Sequence, residues 1–331
     1  MSAADVLDAV PRAALAHLPT PLEPADRLSA VLGGTRIWIK RDDCTGLATG
    51  GNKTRKLEYL MGEAQAQRAG AVITFGAVQS NHARQTAAAC AKLGIECHLV
   101  LSRRVRWSHA EYETSGNPLL DALVGASVTI CAGADVERAG TELFDRLARQ
   151  GKRPYLIPTG GSNALGALGY ARCARELASQ ATARDFVPDV IVHATSSGGT
   201  QAGLTVGCAA FARATRVLGI NVYDRNSAAL TARIDALTRE TAERLGVNAP
   251  TVEIDHRYVG EDYGIPTPAT IEAIRLAASL EGLIFDPVYS GKGLSGLIAL
   301  LRDRALNDAK NVVFVHTGGT ASLPVYSHAF A

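Results

Sequence analysis

No apolar run in this sequence approaches the roughly 18 to 20 residues that span a bilayer. The first segment carries Asp5 and Asp8 in place of the basic patch and apolar core of a secretory leader. Neither membrane insertion nor export is expected, and the cytoplasm is the expected location. Cysteine is thin and scattered: Cys44, Cys90, Cys97, Cys131, Cys173 and Cys208 form no Cys-x-x-Cys pair, and several fall inside apolar patterns. That excludes a disulfide framework and reads as reduced, buried thiols. An excess of one charge is also missing, because 34 Lys and Arg stand against 32 Asp and Glu and leave +2. A surface that tracks nucleic-acid phosphates needs a large basic excess, so no nucleic-acid partner is expected and a small molecule fits better. There is no metal-ligand spacing, G-x-S-x-G elbow or paired-carboxylate signature, so no metal site is expected. No Pro-rich linker, low-complexity tract or internal repeat divides the 331 residues.

What is present is a regular alternation. Short β-branched runs at 36–40, 71–75, 96–101, 127–131, 154–157, 190–195, 217–222 and 311–316 alternate with helical patterns at 53–70, 81–93, 134–150, 163–179, 200–214, 227–245, 268–280 and 292–302. Strands alternating with helices give parallel sheets covered by helices, here an α/β chain of two doubly wound layers. With no linker, the boundary between layers must be a crossing of the chain. The glycine-rich Thr159-Gly160-Gly161-Ser162, directly after a strand, is the best place for it.

The stretch from Thr49 to Lys56 puts Lys53, Arg55 and Lys56 into the opening turn of a helix, behind Gly50 and Gly51. A helix N-terminus carries partial positive charge and disfavours cations. A lysine there is pushed toward its neutral amine, the form needed for Schiff-base chemistry. Arg55 and Lys56 are expected to supply that field, with Glu58 compensating it further along the helix. A nucleotide-binding P-loop is a poor fit, because Gly46 and Gly51 have its spacing but Asn52 intervenes before Lys53-Thr54. A second turn, Thr195-Ser196-Ser197-Gly198-Gly199-Thr200, lies between a strand and a helix. Backbone N–H groups freed by its glycines, the hydroxyls of Ser197 and Thr200, and the helix end suit a single phosphate. Other polar turns close buried segments at Gln79-Ser80-Asn81-His82, at Asp286-Pro287-Val288-Tyr289-Ser290-Gly291-Lys292 and at His316-Thr317-Gly318-Gly319-Thr320, and Tyr263 stands in Glu261-Asp262-Tyr263-Gly264. Pyridoxal phosphate, with an aldehyde for the lysine and one phosphate for the cradle, uses all of this. A non-catalytic α/β protein binding a phosphate ligand uses the cradle alone.

Lys40-Arg41-Asp42-Asp43, GGNKTRKLEYL from Gly50, QSNHARQTAA from Gln79, GGSN from Gly160, GGTQAG from Gly198, DPVYSGKG from Asp286 and HTGG from His316 resemble the pyridoxal-phosphate family of aminocyclopropane-carboxylate deaminases and D-cysteine desulfhydrases. The resemblance runs from about Pro19 to Tyr326. It implies the tryptophan-synthase-β fold (fold type II), with residues 1–52 and 162–331 as a large cofactor-binding domain, 53–161 as a small inserted domain, and the cofactor between them. It also implies a homodimer acting on an amino acid. Carried over by residue, Lys53 is the Schiff-base lysine, Asn81 meets the ring hydroxyl, Ser197, Gly198, Gly199 and Thr200 hold the phosphate, and Thr317 lies near the pyridine nitrogen. Ser80, Asn81, His82, Tyr263 and Tyr289 face the substrate, and Lys53, Ser80 and Tyr289 carry the chemistry. Asp43-Cys44-Thr45-Gly46-Leu47, SNHARQTAAA and Gly116-Asn117 ahead of LLDAL point, within that family, to L-cysteate as substrate, with pyruvate, sulfite and ammonium as products. D-cysteine, releasing sulfide, is the alternative. Members that open the cyclopropane ring carry glutamate where this chain has Ser290, and a neutral hydroxyl there favours elimination. Ser80, His82, Tyr263 and Tyr289 are candidate donors to a sulfonate, and so are Arg103, Arg104 and Arg106 if they turn inward.

Overall fold

A computed structural model describes residues 1–107 and 109–331. Ser108, at the end of the arginine-bearing 101–108 segment, lies outside the described residues. The strands are β1 (Leu22–Pro24), β2 (Arg36–Lys40), β3 (Ala71–Ala77), β4 (Glu96–Ser102), β5 (Ser127–Cys131), β6 (Pro154–Ile157), β7 (Val190–Thr195), β8 (Arg216–Asn221), β9 (Glu253–Asp255) and β10 (Asn311–Val315). They form two sheets, one ordered β1-β2-β10-β7-β8-β9 and the other β5-β4-β3-β6. Every pairing is parallel except β1 with β2. Parallel sheets need cover on both faces, and β10 accordingly reads Val312, Val313, Phe314 and Val315, all fully buried.

The covering helices are α1 (Ala3–Ala9), α2 (Asp26–Val31), α3 (Lys53–Ala66), α4 (Asn81–Leu93), α5 (Asn117–Leu123), α6 (Val136–Arg149), α7 (Ala164–Thr182), α8 (Gly199–Phe211), α9 (Ser227–Leu245), α10 (Pro268–Glu281) and α11 (Ser290–Arg302). Capping residues set several starts: Ser80 accepts from the Ala83 amide, Asn163 from Gly166, Asn226 from Ala229 and Thr267 from Thr270. Left-handed glycines Gly94, Gly246 and Gly282 set the ends of α4, α9 and α10. In α8, Gly203 and Gly207 lie one turn apart against α7. A Cβ on Gly203 would collide with the Ala167 carbonyl, and one on Gly207 would lie 2.7 Å from the Ala171 Cα. The two helices therefore touch backbone to backbone, which fixes where α8 begins.

Each expected helix and strand is present. The expected eight strands are joined by β1 and β9, three-residue edge strands too short to show alternation. Helices α1, α2 and α5, of six or seven residues, were equally invisible to a 3.6-residue period. The lysine helix α3 stops at Ala66 and not at residue 70, since Arg68 turns to φ 53°.

Candidate active site

In open parallel sheets, ligands bind beyond the carboxyl ends of the strands. The turns after β3, β7 and β10 and the start of α3 meet at one such place, a cleft of about 580 Å³. Asn52, Lys53, Ser80, Asn81, His82, Ser197, Gly198, Thr200, Tyr263, Tyr289 and Thr317 all border it. Gly199 opens α8 immediately behind that wall.

Lys53 donates from Nζ to the Asn52 Oδ1 at 2.9 Å, and Asn52 Nδ2 donates to the Thr200 Oγ1 at 3.1 Å, so the lysine and the cradle are directly linked. Burial pushes the amine down; Asp286 partly restores it and Arg84 pushes it down again, leaving it at about 8. The expected field of Arg55 and Lys56 is not the cause. Arg55 turns away and pairs bidentately with Asp42, Nε to Oδ2 at 2.8 Å and Nη2 to Oδ1 at 2.9 Å, and with Glu176. Glu58 does not compensate the helix start either; it binds Arg12 and the amides of Leu15 and Ala16. A buried amide of the first helical turn is met from another helix, since Thr54 N donates to the Gln85 Oε1 at 2.9 Å.

The cradle has more parts than the sequence pattern gave. Ser162 Oγ lies 2.7 Å from the Ser197 Oγ and accepts from the Gly199 amide at 3.2 Å. Lys56, completely buried, donates to the Gly160 carbonyl at 3.1 Å and to the Ser162 Oγ at 3.2 Å. Its ammonium is held well below the usual lysine range by burial, with Lys53 adding to the shift. Arg233 borders the cleft here and donates to the Ser196 carbonyl at 3.2 Å. Lys56 and Ser162 lie in motifs singled out in the sequence, but only the fold brings them to Ser197.

On the opposite wall Ser80 caps α4, and the Thr74 hydroxyl fixes His82. Thr74 Oγ1 donates to the Ile157 carbonyl at 2.9 Å, so its oxygen accepts from the His82 Nε2 at 2.8 Å. The proton of the neutral imidazole therefore sits on Nε2, and the buried Nδ1, which has no protein partner, is an acceptor. Burial, then the charges of Lys53 and Lys56, hold this ring well below the usual histidine range. The expectation of His82 as a donor to a substrate anion is thereby corrected. It suits a substrate ammonium or hydroxyl. Tyr263 and Tyr289 are hydroxyl to hydroxyl, their rings edge-on with centroids 5.7 Å apart. Lys292 ties their two segments together, donating to the carbonyls of Val259 at 2.6 Å and Asp262 at 3.0 Å. Ser290 is fully buried, bonded through Oγ to Asp286 Oδ1 at 2.5 Å and near the Gly318 carbonyl at 3.0 Å. Of the three arginines, only Arg104 borders the cleft, with its guanidinium 5.9 Å from the Tyr263 ring and paired with Asp262. Arg103 pairs with Glu113 outside, and Arg106 lines a separate hollow beside Trp107.

Parallel α/β layers with a desolvated lysine facing a hydroxyl and amide cradle at a helix start define a fold type II pyridoxal-phosphate enzyme. The chain belongs to the pyridoxal-phosphate dependent enzyme family, which matches residues 13–318. It is 43% identical over 319 residues to a D-cysteine desulfhydrase of Yersinia enterocolitica, covering 96% of each. It is 42% identical over 334 residues to a 1-aminocyclopropane-1-carboxylate deaminase of Burkholderia ambifaria, covering 98% of each. Among solved structures, an ACC deaminase homologue superposes with a TM-score of 0.90 at 37% identity, over 99% of this chain and 98% of that one. A processed threonine deaminase from Solanum lycopersicum, at 17% identity, superposes over 98% of this chain and 86% of that one with a TM-score of 0.68 and shares the fold. The protein is thus an enzyme whose cofactor is pyridoxal phosphate, and no helix among the described residues is long and apolar enough to cross a membrane.

The site fits that cofactor. Two buried acceptor or hydroxyl atoms in its wall, His82 Nδ1 and Thr195 Oγ1, have no protein partner, and the cradle offers hydroxyls and amides for a phosphate. Gly160 packs so closely that a Cβ would collide with the Ser197 Oγ, and its φ of 72° is itself strained for alanine. Gly160→Ala is expected to weaken pyridoxal-phosphate binding at least about tenfold, or 1.4 kcal/mol. A fluorescence titration of the apoprotein measures it, and unchanged affinity would show that Ser197 lies outside the cradle.

Proposed function

We propose that the protein catalyses β-elimination from a three-carbon amino acid bearing an anionic sulfur group, with L-cysteate as substrate and pyruvate, sulfite and ammonium as products. The observation that carries this reading is the charge of the cleft: Lys53, Arg104 and Arg233 border it, and among the described residues no Asp or Glu does. A phosphate, a carboxylate and a sulfonate are anionic throughout and favour such a wall. In this reading Arg104, Tyr263 and Tyr289 donate to the sulfonate, which needs partners for three oxygens. Ser290 supports elimination over ring opening, since a glutamate there would stand directly against the buried Asp286 carboxylate. The relatives named for D-cysteine and for aminocyclopropane carboxylate support eliminating or deaminating a small amino acid without separating its leaving groups.

Pyridoxal phosphate, when bound, supplies an aldehyde for Lys53 and a conjugated ring that accepts the electron pair left by the departing α-proton. In this reading Ser197, Gly198, Gly199 and Thr200, with Ser162 and Lys56 behind them, hold the phosphate. Asn81 donates to the ring hydroxyl and Thr317 lies by the ring nitrogen. Ser80 holds the substrate carboxylate and His82 accepts from the substrate. Lys53, freed by the substrate amine, takes the α-proton, while Tyr289, backed by Tyr263, steadies the leaving group. The carbon–sulfur electron pair departs with sulfite, and water then hydrolyses the remaining enamine to pyruvate and ammonium. The reading includes the division at 52/53 and 161/162 with the cofactor between domains, and a cytoplasmic homodimer, all supported by the family resemblance.

Incubating the holoenzyme separately with L-cysteate, D-cysteine and 1-aminocyclopropane-1-carboxylate, and assaying sulfite, sulfide and 2-oxobutanoate, tests this. Sulfite from L-cysteate is expected, with kcat/KM at least about 100-fold above the others. Sulfide from D-cysteine without sulfite from L-cysteate would overturn the substrate.

A further inference from the structure

One cation near the site is neither at the surface nor in the cradle. Arg84, fully buried on α4, spreads its guanidinium across three acceptors: Nη1 donates to the Asn81 Oδ1 at 3.0 Å and the Asn117 Oδ1 at 2.9 Å, and Nη2 to the Gly50 carbonyl at 2.7 Å. Gly50 lies three residues ahead of Lys53. Asn117 Nδ2 also donates to the Asn81 Oδ1, at 3.1 Å. Two donors on that one oxygen fix which way the Asn81 amide points, leaving its NH2 as the free end. Behind Arg84, on α5, stands Asp121, a fully buried carboxylate with neither oxygen hydrogen-bonded to the protein; the Arg84 Nε is also unpartnered.

We propose that Arg84, backed by Asp121, is a positioning residue for the reaction: one guanidinium fixes the lysine loop and the Asn81 amide relative to each other. The role rests on the reading of Lys53 and Asn81 given above. A planar fork meets three acceptors at fixed angles, and a lysine ammonium does not. Removing the fork frees the Asn81 amide to flip and the Gly50 carbonyl to drift. Its charge acts on the same lysine: burial lowers Lys53 most, Asp286 opposes, and Arg84 lowers it further. Asp121 is raised to about 7 by burial, against the pull of Arg84. It faces Arg84 from α4 and Cys97 from β4. Above about pH 7 its negative charge therefore offsets part of the field of Arg84 at Lys53.

The test compares wild-type, Arg84→Met, Arg84→Lys and Asp121→Asn holoenzymes in turnover, in KM, and in the pH midpoint at which the visible absorption of the lysine-bound cofactor changes. Arg84→Met is expected to lose about 10- to 100-fold in kcat with KM changed less than about threefold, and to raise the midpoint by roughly one unit. Arg84→Lys keeps the charge and the midpoint but not the kcat. Asp121→Asn, the milder change to the fold, lowers the midpoint, the opposite sign. A purely structural role would alter stability and leave all midpoints together. If wild type retains the cofactor on Lys53 after borohydride while Arg84→Met matches it in kcat and midpoint, the role of Arg84 is overturned and the proposed function stands. If wild type itself fails to retain the cofactor on Lys53, both fall.

Discussion

Lys53→Ala is expected to cut kcat/KM by on the order of 10⁴-fold or more and to give a colourless protein that borohydride no longer labels. No other amine replaces it. Lys56 is spent on the Gly160 carbonyl and Ser162, and Lys292 on the carbonyls of Val259 and Asp262. With an amine at about 8 in place of the ordinary 10.5, roughly a tenth of Lys53 is neutral at pH 7. Capture of pyridoxal phosphate by the apoprotein should therefore quicken about tenfold per pH unit below 8 and level off above it. An unperturbed lysine would keep quickening past pH 10. The same shift has a cost in stability. The folded state binds Lys53's proton less tightly than the unfolded state, so the cost is full below about pH 8 and fades as pH rises toward 10.5. Lys53→Met, which keeps the bulk and removes the amine, is expected to stabilise the apoprotein at pH 7 by roughly 1–2 kcal/mol after allowance for exposure to the cleft. A lower urea midpoint for Lys53→Met would sink the claim that the amine is desolvated.

Helices and strands were legible where the pattern is local and repeated. Residues 81–93 and 227–245 match α4 and α9 at both ends, because Ser80 and Asn226 cap them and Gly94 and Gly246 stop them. The residues bordering the cleft were legible where they sit in strand-to-helix turns, whose backbone is exposed to ligands by construction. Hidden were the groups acting across the fold. Ser162 is 35 residues from Ser197, and Gln85 is 31 from Thr54. Nothing in a serine or glutamine says which distant amide it will meet. The histidine tautomer was equally hidden, since it depends on a strand-pairing carbonyl at Ile157. Arg55 was misread for a sharper reason. The sequence displays its charge at the helix start but not the carboxylates of Asp42 and Glu176 that neutralise it, 13 and 121 residues away.

Arg55→Met is expected to destabilise the protein by about 3–5 kcal/mol, a large share of the roughly 5–15 kcal/mol that holds a domain folded. Arg55 is 1% exposed and Asp42 0%, and around them Thr20, Tyr170, Lys40 and Glu176 complete a closed network. Tyr170 donates to the Asp42 Oδ2 at 2.6 Å, Thr20 to the Asp42 Oδ1 at 2.8 Å and Lys40 to the Glu176 Oε1 at 2.5 Å. Two cations and two carboxylates balance. Without Arg55, two carboxylates remain with one ammonium, Asp42 fully buried and Glu176 only 13% exposed, and that uncompensated charge is the origin of the loss. Burial raises both carboxyls, but the charge and fork of Arg55, joined by Lys40, outweigh it and hold each below the usual range. Their contribution is therefore present above the ordinary carboxylate range, near pH 4, and is lost as pH falls through the lower folded values. Urea midpoints for wild type and Arg55→Met should be far apart at pH 7 and draw together toward pH 3. Arg55→Met should leave the pH at which cofactor capture levels off unchanged to within a few tenths, because the network and not the cleft absorbs its charge. Equal midpoints at pH 7, or a capture profile displaced toward higher pH, would return Arg55 to the role its place beside Lys53 first suggests.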